Sequence, residues 1–333
     1  MEVAGNSPTT ASPASVAPVH TMPAPLGRWP ASKRQMGIGM IMPISDRSAF
    51  LGTPRFRDML EMAQTAERIG MDGVWIPDHF LVEEQDGKVI RGVWEGWTVL
   101  AGIAAATSTI TLGIYVTCTA FRNPEIIAKM AETLDEISQG RFVLGLGAGW
   151  NKPEFDRFGF PFDHRGSRFA DAIKIISPML REGTATYDGT YYQAHDAINL
   201  PRGPRGNEGG PPILVGTAGP RLMRLTAQYA DAWNSDWQHD PSTLRPLLTQ
   251  LDEACEAVGR DPETLVRTSA SNVIMGEKTS GRPNPMTGTP EQIADQIRAF
   301  RDLGLRHWVA GLDPCTPRTI EQFGRIIELL DEA

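Results

Sequence analysis

The sequence predicts an α/β chain closed into a (β/α)8, or TIM, barrel with insertions, and three observations carry that prediction. A short apolar run followed by a stretch of helical periodicity recurs eight times from residue 36 onward. The runs are apolar throughout rather than alternating, as strands covered on both faces must be. The rival, an open doubly wound sheet, lacks its fingerprint. "LGLGAGW" (144–150) would need a third glycine at position 150, where Trp150 stands, and the next strand ends in "LVG" with no acid.

The units run as follows. "MGIGMIMP" (36–43) is the first strand, and 53–70 the first helix, with Thr53-Pro54 expected to cap it and Gly70 to stop it. Strand 72–77 leads to helix 95–107. Strand 110–118 leads to helix 123–140, which opens on Asn123-Pro124 and closes on Gly140. Strand 141–149 precedes a helical stretch at 164–183, and a hairpin around "YDGTYYQ" (187–193) interrupts before strand 211–216. The alternation resumes with helix 219–230, strand 230–235 and helix 241–258. Strand 266–276, helix 289–304, strand 306–312 and helix 316–332 complete it. The segment 276–288 reads as a polar loop, a candidate lid over the barrel mouth.

Residues 1–35 read differently. They are rich in Pro, Ala, Ser and Thr and too poor in large apolar residues to bury anything. The expectation is a disordered tail, or an upstream start with Met36 the working one, ahead of a barrel domain at 36–333. The tail has no continuous apolar stretch, which argues against a secretory signal.

A net charge of −8 argues against a nucleic-acid surface. No apolar run is long enough for a membrane crossing. Three scattered cysteines, with no CxxC, suit a reducing cytoplasm and give no sign of a metal site.

Candidate chemistry sits where strands end. "GVWIPDHF" (73–80) places Asp78 and His79 at the carboxyl end of the second strand, the face on which barrel enzymes assemble their sites. Gly145, Gly147 and Gly149 alternate, so they share one face of the fourth strand. That bare face leaves room either for a flat ligand or for bulky neighbours such as Trp75 and Trp233. After the fifth strand, "GTAGPRL" (216–222) offers the backbone N–H groups of Gly216, Thr217, Ala218 and Gly219 to an anion at a helix N-terminus. Trp94, Trp97, Trp150 and Trp237 fall in loops or element ends near the same face, suggesting an aromatic-lined pocket for a small molecule.

Together, "DGVWIPDHF", "NPEIIAKMAETLDEISQGRFVLGLGAGWNKPEF", "PPILVGTAGPRLMRLTAQYADAWN" and "TGTPEQIADQI" resemble the bacterial luciferase-like superfamily, in order and spacing. The resemblance implies a (β/α)8 oxidoreductase using FMN or the deazaflavin coenzyme F420. The "DHF" and "GAGWN" segments are more similar to the F420-dependent branch. It implies hydride transfer between F420 and a small organic substrate, with an FMN-dependent monooxygenase using O2 as the alternative. His79 would manage a proton or stabilise charge, and Asp78 would orient or contact the deazaflavin ring. A non-proline cis peptide is implied within Ile114-Tyr115-Val116, behind the ring. Thr117 and Asn151 would hydrogen-bond the ring or substrate, residues 216–219 the phosphate, and Arg165 or Arg168 the acidic tail. The family's sugar-phosphate dehydrogenases carry a glutamate directly after the strand-4 glycines. Here Trp150 stands there and the nearest acid is Glu154, placed in the substrate pocket, which argues against a sugar phosphate. A homodimer, and a reductase system supplying reduced cofactor, are further expectations of the resemblance.

Overall fold

Parallel strands leave hydrogen-bonding groups open along both sheet edges, and closing the sheet removes the edges altogether. Here the sheet closes. The computed structural model describes residues 27–46, 52–83, 90–235, 237–276 and 284–332. The chain runs β1 (Gly37–Ile41), α1 (Phe56–Arg68), β2 (Gly73–Ile76), a hairpin of β3 (Leu81–Glu83) and β4 (Ile90–Gly92), then α2 (Gly96–Ala105). Next come β5 (Thr111–Ile114), its continuation β6 (Thr117–Cys118), α3 (Pro124–Ile137), β7 (Phe142–Gly147), α4 (Lys152–Phe158) and α5 (Arg165–Arg181). A second hairpin, β8 (Thr184–Asp188) with β9 (Gln193–Ile198), leads to β10 (Ile213–Gly216), α6 (Pro220–Tyr229), β11 (Ala232–Ser235) and α7 (Arg245–Glu256). The last elements are β12 (Val266–Ile274), α8 (Pro290–Arg301), β13 (His307–Asp313) and α9 (Pro317–Asp331). β1, β2, β5, β7, β10, β11, β12 and β13 pair in parallel in that order, and β13 returns to β1.

The helices begin where side chains satisfy their first N–H groups. Asn123 accepts from Glu125 and Ile126 ahead of Pro124, and Thr289 forms a reciprocal pair with Gln292 ahead of Pro290. The first helix starts later than expected. Its cap is Arg55, whose N–H is held by the Asp58 carboxylate at 2.8 Å, not Thr53-Pro54. The β3–β4 hairpin and α4 were not foreseen, both being too short to show a period. Of the candidate lid, residues 277–283 lie outside the described residues, while Met286 bridges to Val273 of β12.

The larger core lies between strands and helices, and a smaller one fills the barrel. Its floor corrects the reading of the tail. Residues 1–26 lie outside the described residues, but 27–35 pack under the barrel, and Trp29 is only 5% exposed. Its ring stacks on Trp75 at 6.2 Å, and the Trp75 indole N–H donates to His307 Nε2 at 2.9 Å. Arg34 fastens the strap through Asp72 at 2.5 Å and Asp331 at 2.5 Å.

His307 must accept from Trp75 at Nε2, so it can hold only one ring proton there, and burial lowers its pKa to about 4. A depressed histidine pKa contributes stability that is present above the unfolded value near 6.5 and is lost as pH falls toward 4. Stability to urea is therefore expected to drop by about 2 kcal/mol from this residue between pH 7 and pH 5. His307→Gln, which keeps an acceptor for Trp75, is expected to flatten that part of the profile. An unchanged slope in the variant would remove His307 from the account.

Candidate active site

Beyond Ile76 the second strand unwinds into Pro77-Asp78-His79-Phe80, and the two polar side chains part. Asp78 turns inward and is 2% exposed. Its carboxylate receives both Arg122 terminal nitrogens, at 2.8 and 3.0 Å, and the Cys118 N–H at 3.0 Å. Arg122 also reaches Glu95 at 2.7 Å. Burial raises the Asp78 carboxyl above the usual carboxylate range, against the opposing pull of Arg122. The expectation that Asp78 contacts a ring is therefore corrected: it ties the end of β2 to the end of β6. With both oxygens so engaged it is not presented to a metal either. Among the described residues no group of three or more His, Cys, Asp or Glu could hold a metal ion.

His79 is turned the other way and is partly exposed. Its Nδ1 lies 3.0 Å from Glu154 Oε2, and its ring meets Trp150 edge-on at 5.7 Å. Glu154 is 1% exposed on α4, and its other oxygen accepts the N–H groups of Phe80 and, at 3.2 Å, Leu81. A carboxylate accepting main-chain N–H groups accepts from the ring as well. That puts a proton on Nδ1 and leaves Nε2 for the mouth. Glu154, expected in the substrate pocket, is instead the buried seat of His79. Asn151 is corrected likewise: it is buried, and its amide donates to Leu81 O at 3.0 Å, bracing the same turn.

The wall beside this centre is the break between β5 and β6. The Tyr115–Val116 peptide is cis, within the tripeptide expected. The side chains of Ile114 and Tyr115 do not face the mouth. Ile114 belongs to the outer core, and the Tyr115 hydroxyl donates to Asn234 Oδ1 at 2.5 Å inside the barrel. The bare face of β7 is filled by this break, not by Trp75 or Trp233. A Cβ on Gly147 would meet Val116 Cγ2 at 2.6 Å, and one on Gly145 would meet the Ile114 oxygen at 2.0 Å. Thr117 follows, fully buried, and its hydroxyl has no partner among the described residues.

A cleft of about 460 Å³ opens between the end of β7 and the first turns of α5 and α6. It is lined by Gly149, Phe162, Arg165, Ser167 and Arg221. Gly149 has φ +79°, and a Cβ there would collide with Cys118 Sγ and Phe155, so the position admits only glycine without strain. Arg165 bonds Gly149 O at 2.9 Å and lies over the Phe162 ring, whereas Arg168 turns to Asp163. In the 216–219 loop, the Thr217 N–H bonds Asn234 O and the Gly219 N–H bonds the Thr217 hydroxyl. Two of the N–H groups expected to face an anion are thus already satisfied. Arg221, which sequence reasoning passed over, adds a cation two residues beyond Gly219, bonded to Ser167 at 3.0 Å. The tryptophans divide: Trp97 is core, Trp94 donates to Pro54 O, Trp237 is exposed after β11, and Trp150 is 66% exposed beside His79.

A family model described as luciferase-like monooxygenase matches residues 36–282. The chain is 29% identical over 248 residues to the phthiodiolone/phenolphthiodiolone dimycocerosates ketoreductase of Mycobacterium sp. (strain JLS), covering 68% of this chain and 64% of that one. It is 33% identical over 217 residues to the F420-dependent glucose-6-phosphate dehydrogenase of Kineococcus radiotolerans, covering 63% and 61%. It is 28% identical over 274 residues to the F420-dependent hydroxymycolic acid dehydrogenase of Mycobacterium tuberculosis, covering 76% and 71%. The matches to the first two of these thus span less than two thirds of those relatives' own length. In fold, the chain superposes on an F420-dependent secondary alcohol dehydrogenase solved with an F420-acetone adduct. The TM-score is 0.74 at 22% identity, covering 89% of this chain and 99% of that one. No helix among the described residues is long and apolar enough to cross a membrane. With its barrel closed in the expected order and the family model spanning most of its length, the chain belongs to the luciferase-like monooxygenase family.

Proposed function

We propose that the protein is an oxidoreductase that uses coenzyme F420 to interconvert a ketone and a secondary alcohol. The observation that carries the reading is the His79–Glu154 pair. It holds Nδ1 of a partly exposed imidazole against a buried carboxylate, just past the carboxyl end of β2. The residues around it suit a large anionic coenzyme. Thr117 offers a buried hydroxyl without a partner among the described residues, and Arg165 and Arg221 line a cleft that opens beside Gly149. The relatives named for a ketoreductase and for hydroxy-acid and secondary-alcohol dehydrogenases support the substrate class.

A deazaflavin, when bound, supplies or accepts a hydride as a two-electron unit. The chain's own residues do the rest. In the reducing direction a hydride adds to the carbonyl carbon, the π pair moves onto oxygen, and the His79 imidazolium gives its Nε2 proton to that oxygen. In the oxidising direction the neutral Nε2 takes the hydroxyl proton. Glu154 keeps the imidazole in place through both, and Arg165 with Arg221 would hold the anionic part of the coenzyme. Trp150, where a sugar-phosphate enzyme would carry an acid, disfavours a sugar phosphate. The three cysteines, buried and in no disulfide, suit a reducing cytoplasm.

Titration with F420 and with FMN, followed by fluorescence, tests the reading. F420 is expected to bind the more tightly, with Arg165→Ala and Arg221→Ala each weakening it about tenfold. Tight FMN binding with none to F420, joined by O2 consumption with reduced FMN, would replace the reading with a flavin monooxygenase.

A further inference from the structure

A buried donor without an acceptor and a cation without a counter-charge, brought to one cavity, are the two halves of an anion site. They meet beneath the barrel, at the amino ends of the strands and away from His79. A cavity of about 190 Å³ lies there between the strap 27–35 and the starts of β1, β5 and β13. Its walls include Trp29, Pro30, Arg34, Asp72, Arg306 and His307. One water needs roughly 10–15 Å³ on the same measure, so the cavity has room for a small molecule.

His307 supplies the donor. It is 4% exposed, and the Trp75 indole N–H uses its Nε2 as acceptor at 2.9 Å, so the neutral ring carries its proton on Nδ1. That N–H has no partner among the described residues. Gly37, also on the cavity wall, keeps the approach open: a Cβ there would stand 2.8 Å from Nδ1.

Arg306 supplies the charge. Its main chain is fixed on both sides, its N–H donating to Arg267 O and its oxygen accepting from Gly37, both at 2.9 Å. Its half-buried guanidinium makes no ion pair and no hydrogen bond among the described residues. Arg34, the other cation of the cavity, is taken up by Asp72 and Asp331, and Lys33 matches Asp331 in turn. The walls are thus left with one positive charge in excess.

We infer that this cavity is a binding site for a small monocarboxylate. One carboxylate oxygen accepts the Nδ1 proton of His307, the other meets the Arg306 guanidinium, and a short apolar body lies against Trp29 and Pro30. A dianionic phosphate brings more charge than the walls balance. Because the strap forms one wall and the strands the other, the ligand ties the two together and stabilises the fold.

Calorimetric titration at pH 7 with sodium butyrate, sodium phosphate and sodium chloride at matched ionic strength tests the site. Butyrate is expected to bind one to one and more tightly than either inorganic anion. Arg306→Gln is expected to weaken it about tenfold or more. That side chain bonds to nothing described, so the variant should keep the wild-type urea midpoint. Arg165→Ala, at the opposite face of the barrel, should leave butyrate binding unchanged. No saturable binding of butyrate overturns the inference, as does an affinity that Arg306→Gln leaves unchanged or that Arg165→Ala abolishes. Phosphate binding more tightly than butyrate overturns the carboxylate assignment.

Discussion

Gly145→Ala is expected to lower folding stability by about 4 kcal/mol or more, enough to leave little folded protein. The added methyl would stand 2.0 Å from the main-chain oxygen of Ile114 and 3.1 Å from Val116 Cγ1. A flexible side chain would swing away from such a contact, but a carbonyl in a paired strand has nowhere to go. β5 is held to β7 through Leu112 with Phe142 and Gly113 with Val143, so relief means parting two neighbouring barrel strands. Overpacking usually costs 1–3 kcal/mol because side chains share the strain, and here they cannot. Gly166→Ala is the control. It lies in the first turn of α5, and its methyl would find Leu222 Cδ1 at 3.6 Å, an ordinary contact. That change is expected to be neutral or to stabilise by up to about 1 kcal/mol. Urea denaturation of both variants checks the contrast, and matching midpoints would mean that the Ile114 carbonyl does not occupy that space.

The barrel was legible because its elements are punctuated locally. "NPEIIAKMAETLDEISQG" carries its cap, its first-turn proline, its apolar stripe and its stopping glycine within one stretch, and the helix forms inside those marks. The alternating glycines of β7 told which face was bare, but the occupant, Val116 with the Ile114 carbonyl, comes from a break in the neighbouring strand. Trp29 was hidden by averaging. One indole in a Pro- and Ala-rich stretch barely moves a composition, yet it closes the barrel floor. The Asp-His dipeptide read as one unit and acts as two. The partners that separate them are distant in sequence: Arg122 is 44 residues from Asp78, and Glu154 is 75 from His79. Such pairings are tertiary, and no spacing rule within a single sequence reaches them.

Turnover should fall about 10²- to 10⁴-fold in His79→Ala, with the fold intact, because that side chain is partly exposed and bonds only at its Nδ1 edge among the contacts described. The companion change, Glu154→Gln, tells apart a seat from a spectator. The glutamine oxygen can keep the bonds from Phe80 and Leu81, which turns its NH2 group toward Nδ1. The ring then accepts at Nδ1 and carries its proton on Nε2, the wrong nitrogen for taking a proton from an alcohol. Alcohol oxidation is therefore expected to drop about 10²-fold or more, and ketone reduction with it, since a ring that accepts at Nδ1 does not form the imidazolium that gives up the Nε2 proton. A merely structural glutamate, replaced by a glutamine that keeps the bonds from Phe80 and Leu81, would leave both rates close to wild type. Because the two residues act as one unit, the double variant should be no slower than His79→Ala alone. Both are measured by the change in deazaflavin absorbance with a secondary alcohol and the corresponding ketone. Full turnover in His79→Ala removes the proton role. Losses that multiply in the double variant would show that Glu154 acts on something other than His79.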